Sequence, residues 1–170
     1  MAIPKSGATR PTSDRVREAM FNILHSRIDL EGKKVLDLFA GSGALGIEAI
    51  SRGAEHATFV DNSYQSLQTI KTNLSNLRLP ENDSGKIKVV KADALAFVGH
   101  TEEIFDIAFC DPPYKFVSWD ALLDVLHCKM AVLESDRDLT APDGWKVFKT
   151  YTYGGSVLTI MDNSFYASGN

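Results

Sequence analysis

Cysteine is scarce: the 170 residues hold only Cys110 and Cys128, which form no metal-ligand spacing. Zinc-finger and disulfide-framed scaffolds are thereby excluded, and a reducing cytoplasm is the expected compartment. No apolar run reaches membrane-spanning length, so no association with a membrane is expected. The stretch Met1 to Gly7 lacks the apolar centre of a signal peptide. A basic excess is also missing: 18 Lys and Arg stand against 22 Asp and Glu, for a net charge of −4. That balance argues against nucleic-acid binding by bulk electrostatics alone. The 4 histidines share no ligand spacing, and no metal is expected. Repeats, low-complexity tracts and linkers are absent as well. The length suits one domain with a full core, here residues 13–170, following an extended arm over residues 1–12 that carries Pro4, Gly7 and Pro11.

What is present is an alternation of short apolar runs and helical patterns. A helix capped by Ser13 or Thr12 runs to about His25, with Val16, Met20, Phe21, Ile23 and Leu24 on its apolar face. Strands follow at Lys34–Phe39, Ala57–Asp61, Ile87–Val90, Phe105–Cys110 and Met130–Leu133. Helices at about Ala44–Ser51, 63–77, Ala94–Val98 and Trp119–His127 separate them. Trp145–Tyr153 and Ser156–Met161 flank Gly154-Gly155 and read as an antiparallel hairpin. The pattern predicts an α/β fold around a mostly parallel sheet. Charge is uneven: before residue 28, Lys5, Arg10, Arg15, Arg17 and Arg27 face only Asp14 and Glu18.

Asp111-Pro112-Pro113-Tyr114 is the most informative stretch. Proline ends a central strand because it lacks an N–H and fixes φ. The strand therefore presents a carboxylate, exposed carbonyls and an aromatic ring at its C-terminal edge, where open α/β sheets bind ligands. A carboxylate and a proline carbonyl are both acceptors and together can hold an exocyclic NH2 group. A tyrosine ring can stack on the base that carries it.

Gly41-Ser42-Gly43-Ala44-Leu45-Gly46 matches G-x-G-x-x-G between a strand and a helix. Asp61, at the end of the next strand, can accept from both ribose hydroxyls. These features suit a dinucleotide as well as S-adenosylmethionine. Asp37, inside the first strand, suits a cationic sulfonium and is a poor neighbour for a pyrophosphate, although it can instead bond the backbone of the loop. Asp93 can bond an adenine amino group or cap the helix that begins at Ala94.

Together, Asp37-x-Phe39-Ala40-Gly41-Ser42-Gly43, Asp61, Asp93 and Asp111-Pro112-Pro113-Tyr114 resemble the ordered motifs of class I S-adenosylmethionine-dependent amino-methyltransferases. Thr9 to Leu24 resembles the segment before the core in the bacterial family that methylates N2 of a guanine in 16S ribosomal RNA, and Val35 to Glu48 resembles that family's cofactor loop. The resemblance spans about residues 9–160. It implies the Rossmann-like methyltransferase fold, a seven-stranded sheet with helices on both faces and a C-terminal antiparallel hairpin. It implies cofactor binding by Asp37, Phe39, Ala40, Gly41, Ser42, Gly43, Asp61, Asn62, Asp93 and Ala94. It implies catalytic roles for Asp111, Pro112, Pro113 and Tyr114, and RNA contacts from Arg10, Thr12, Arg15 and Arg17. The implied partner is 16S ribosomal RNA or the assembling small subunit, met by a monomer. That family carries a basic, glycine-containing hairpin upstream of Arg10-Pro11-Thr12, which these 170 residues do not include. The expectation is therefore weaker for RNA affinity than for cofactor binding.

Rival readings remain. Methylation of adenine N6 or cytosine N4 in DNA uses the same amine chemistry. A dinucleotide-dependent oxidoreductase explains the glycines and Asp61 but leaves Asp111-Pro112-Pro113-Tyr114 without a role. A non-catalytic ribosome-assembly factor keeps the fold without turnover.

Overall fold

The computed structural model describes residues 14–79, 85–113 and 116–166. The arm over residues 1–12, the Ser13 or Thr12 cap, Arg10, Tyr114 and the end of the chain from residue 167 lie outside them. The elements run α1 (Asp14–His25), β1 (Lys34–Leu38), α2 (Ala44–Ser51), β2 (His56–Asp61), α3 (Tyr64–Asn76) and β3 (Ile87–Lys91). They continue with α4 (Ala94–His100), β4 (Phe105–Cys110), α5 (Trp119–Val125), β5 (Cys128–Ser135), β6 (Trp145–Tyr153) and β7 (Ser156–Asn163).

The strands form one seven-stranded sheet in the order β3-β2-β1-β4-β5-β7-β6. β1 to β5 are parallel to their neighbours among themselves, whereas β7 is antiparallel to both β5 and β6. Parallel strands are buried on both faces, and their sequences show it: Val35-Leu36-Asp37-Leu38 and Ile107-Ala108-Phe109-Cys110 are buried throughout. Two apolar clusters sandwich the sheet. One joins Phe21 and Leu24 of α1, Ile47 of α2 and Ile70 and Leu74 of α3 to Phe59 and Phe109. The other joins Val98 of α4 and Trp119, Leu122 and Leu123 of α5 to Leu36, Leu38 and Leu133. Cys110 and Cys128 are buried and unpaired, and burial pushes the thiol of each up.

The strand order reverses between β1 and β4, and at such a switch the loops leaving the two strands diverge to open a crevice. α1 runs back along the sheet. Its trailing Arg27 pairs with Asp162, which is in register with Met130 near the start of β5. Phe21, six residues earlier, meets the ring of Phe109 at a tilt, centroids 5.4 Å apart. The first turn of α1 therefore lies toward the crevice.

The expected elements all appear, with differences at their ends. β5 runs Cys128–Ser135 rather than Met130–Leu133, because its polar ends Lys129, Glu134 and Ser135 still pair with neighbouring strands or flank ones that do. α5 stops at Val125, short of His127, since Leu126 is already extended on the way into β5.

Candidate active site

The residues after β1 make a tight turn. Gly43 N–H donates to the Ala40 carbonyl at 2.7 Å, and Gly41 and Gly43 both take positive φ, 57° and 79°. Phe39 does so too, at 55°, a conformation that strains a side-chain-bearing residue. The turn aims the Phe39 ring at Phe116, centroids 5.4 Å apart, and Phe116 in turn meets Trp119 edge-on at 5.0 Å. The loop from β1 and the loop from β4 are thus joined across the crevice by three aromatic rings.

Two of the three glycines in the turn are set by packing. A Cβ on Gly46 would stand 2.4 Å from the ring of Phe59, and one on Gly43 would stand 3.3 Å from both Phe59 and Ile70. This close approach lets α2 lie down on β2.

Asp61, at the end of β2, accepts the Gly41 N–H at 2.9 Å through one oxygen and the Ser63 N–H at 2.9 Å through the other. It is buried and holds the loop and the start of α3 together. Each oxygen keeps a further lone pair for a ligand hydroxyl. Asn62 beside it is exposed.

Asp37 is buried beneath the same turn and accepts the Gly46 N–H at 2.9 Å. Burial pushes its carboxyl from 3.8 up to about 8, the Gly46 N–H offsets part of that, and the Asp61 charge adds to it. The backbone-bonding role foreseen for Asp37 is therefore present. A cation beside it would favour its charged form. This structural observation bears on the identity of the ligand.

Asp93 caps α4: one oxygen accepts the Ala96 N–H at 3.0 Å, and the residue is exposed at the end of β3. Its neighbour Ala94 is buried. Both lie along the same sheet edge as Asp61, one strand further out.

On the far side of the switch point, Asp111, Pro112 and Pro113 line an open cleft together with Phe116, Trp119, Glu134, Ser135 and Asp136, and with Gly155 and Ser156 from the β6–β7 turn. Arg137 fixes its wall. Its guanidinium pairs with Asp136 at 2.9 Å and donates to the Phe116 carbonyl at 3.0 Å.

The basic residues converge less. Arg17 is mostly buried and paired with Asp14 at 2.8 Å, whereas Arg15 is exposed on the first turn of α1. Arg10, Thr12 and Tyr114 fall outside the described residues.

A family model described as "Conserved hypothetical protein 95" matches residues 1–162. The chain belongs to that family. It is 41% identical over 155 residues to YlbH of Bacillus subtilis (strain 168), covering 89% of this chain and 80% of that protein. It is 33% identical over 153 residues to ribosomal RNA small subunit methyltransferase D of Escherichia coli (strain K12), covering 90% of this chain and 67% of that protein. The solved structure of Escherichia coli yhhF matches with a TM-score of 0.80 and 29% identity over 96% of this chain and 90% of that one. The fold is the class I methyltransferase fold.

Three residues around the candidate site of this Conserved hypothetical protein 95 member carry little or no signal in the sequence. Asn73, buried on α3, donates to the Ser42 carbonyl at 2.9 Å and so pins the glycine turn from outside. Its signal is a polar residue between Ile70 and Leu74 on the buried stripe of a helix. Glu134 lines the cleft through the pairing of β5 with β4 and β7, and Arg137, just past β5, braces the wall through the Phe116 carbonyl; the sequence carries no local sign of either.

Proposed function

We propose that the chain is an S-adenosylmethionine-dependent methyltransferase that modifies the exocyclic N2 amine of a guanine in 16S ribosomal RNA. On this reading it acts in the cytoplasm as a monomer built on one domain over residues 13–170, on naked RNA or on an assembling small subunit. The observation that carries the proposal is the placement of Asp111-Pro112-Pro113 and the glycine turn on either side of the sheet's switch point, joined by the Phe39–Phe116–Trp119 rings. The relationship to Escherichia coli ribosomal RNA small subunit methyltransferase D supports the substrate class.

The residues fit the cofactor. The buried Asp37, held up at about 8, would gain from a neighbouring cation, and a sulfonium supplies one, whereas a pyrophosphate would push its carboxyl higher still. Phe39, Ala40, Gly41, Ser42 and Gly43 would cradle the amino-acid end. Asp61 and Asn62 would take the ribose, and Asp93 and Ala94 the adenine. When bound, the cofactor supplies an electrophilic methyl group.

This chain's own residues do the rest by positioning. The N2 nitrogen of guanine is a weak nucleophile because its lone pair delocalises into the ring. Asp111 and the Pro112 carbonyl would accept its two N–H bonds and favour a pyramidal nitrogen with its lone pair free to attack. Once the nitrogen has taken the methyl group it would be acidic, and Asp111 would accept its proton. Tyr114 would stack on the base, and the Arg10 to Thr12 segment with Arg15 and Arg17 would contact RNA. The base must leave its stack to enter.

The test is transfer of labelled methyl from S-adenosylmethionine to unmodified small-subunit RNA and partly assembled particles, with Asp111→Ala alongside. The reading predicts transfer by the native chain, and loss of transfer in the variant with cofactor binding retained. An assembly factor would show cofactor binding without transfer by either protein.

A further inference from the structure

The cleft beside Asp111 holds a second carboxylate for which the proposed chemistry has no role. The β4–β5 register pairs Phe109 with Val132 and Cys110 with Leu133. The next residues, Asp111 just past β4 and Glu134 near the end of β5, therefore stand side by side on strands roughly 4.8 Å apart. Both line the cleft with Pro112 and Trp119. Glu134 is half-buried, and its strand position is fixed from the other side by pairing with Leu158 of β7. The third carboxylate, Asp136, is engaged by Arg137. Trp119 also lines the cleft; it is 5% exposed, and its buried indole N–H has no hydrogen-bond partner.

We infer that Glu134 selects the target base by accepting the N1–H of guanine while Asp111 and Pro112 hold the adjacent N2 amine. The inference rests on the proposed guanine-N2 reading. Guanine presents two neighbouring donors, N1–H and N2–H2. Adenine and cytosine present an unprotonated ring nitrogen beside their exocyclic amine. A carboxylate next to the amine holder attracts the first pattern and repels the second. Sites built around a buried polar partner reject analogues that lack it far more strongly than apolar pockets do. The bare Asp-Pro-Pro turn fits any exocyclic amine. Glu134 is the element of this cleft that discriminates among them.

The experiment uses 2,6-diaminopurine, which keeps the 2-amine but has an unprotonated N1. The nucleotide methylated by the native chain is mapped in small-subunit RNA. RNA carrying guanine or 2,6-diaminopurine at that position is then made by splinted ligation. The native chain should methylate the guanine RNA with the higher kcat/KM. In Glu134→Gln, whose amide can donate to N1, that preference should fall by about tenfold or more, and Glu134→Asp should keep part of it. The ratio is taken within one preparation, so a smaller folded fraction cancels. A Glu134→Gln variant with the native ratio, whatever its absolute rate, overturns the inference. Absence of guanine methylation by the native chain overturns the underlying reading instead and the inference with it.

Discussion

Asp61 accepts the backbone N–H of Gly41 at 2.9 Å across 20 residues of sequence. The carboxylate expected to meet a ribose thus also ties the cofactor turn of β1 to the end of β2. On the proposed function, one side chain would both position the loop and meet the ligand. Asp61→Asn keeps the size but places an NH2 where one acceptor was, so either the loop or the ligand loses its partner. Cofactor affinity should fall by about tenfold or more, in line with loss of a charged hydrogen bond of roughly 1.5–3 kcal/mol. Isothermal titration of S-adenosylmethionine against the variant measures it.

Gly46 is required by Phe59 rather than by a ligand. An added Cβ would meet the Phe59 ring at 2.4 Å. Gly46→Ala should destabilise the fold by about 1–3 kcal/mol, the usual cost of overpacking. Trimming the ring in Gly46→Ala/Phe59→Leu should recover part of the loss, read from denaturant unfolding midpoints.

Asp37 makes cofactor affinity pH-dependent with a defined sign. Its carboxyl is pushed up to about 8, chiefly by burial, so below that pH the folded chain carries its proton. A bound sulfonium favours the charged form, and binding then expels the proton. Affinity should rise by up to about tenfold per pH unit as pH approaches 8, then level off. S-adenosylhomocysteine, which lacks the sulfonium charge, should show a flatter profile. The free protein behaves in the opposite sense. Because the folded state binds this proton more tightly than the unfolded chain, its contribution to stability declines as pH rises from 3.8 to about 8. Asp37→Asn should flatten both profiles, as followed by calorimetry and thermal unfolding.

Asn73 acts at a distance from the chemistry by holding the Ser42 carbonyl at 2.9 Å. Asn73→Ala should raise KM for the cofactor several-fold, consistent with about 1 kcal/mol for one lost hydrogen bond, and leave kcat near the native value. Steady-state kinetics with varied S-adenosylmethionine separates the two.

Much of this was legible in the sequence, for local reasons. Glycines with positive φ, the Asp93 cap and apolar runs such as Val35 to Leu38 each act within a few residues. They fixed the ends of α2, β1 and β4 closely. The apolar pattern predicts too short a β5 because the strand's polar ends face partners 20 or more positions away, as in the pairing of Glu134 with Leu158. Glu134, Arg137 and Asn73 were missed for the same reason. Their contacts arise from strand order and helix docking, which no short window of sequence carries.

The most direct measurement is the identity of the methylated nucleoside. Small-subunit RNA and partly assembled particles lacking the modification are incubated with the native chain and labelled S-adenosylmethionine, then digested to nucleosides and separated. The account predicts label in N2-methylguanosine. Label in N6-methyladenosine or N4-methylcytidine, or cofactor binding with no label in any nucleoside, would contradict it.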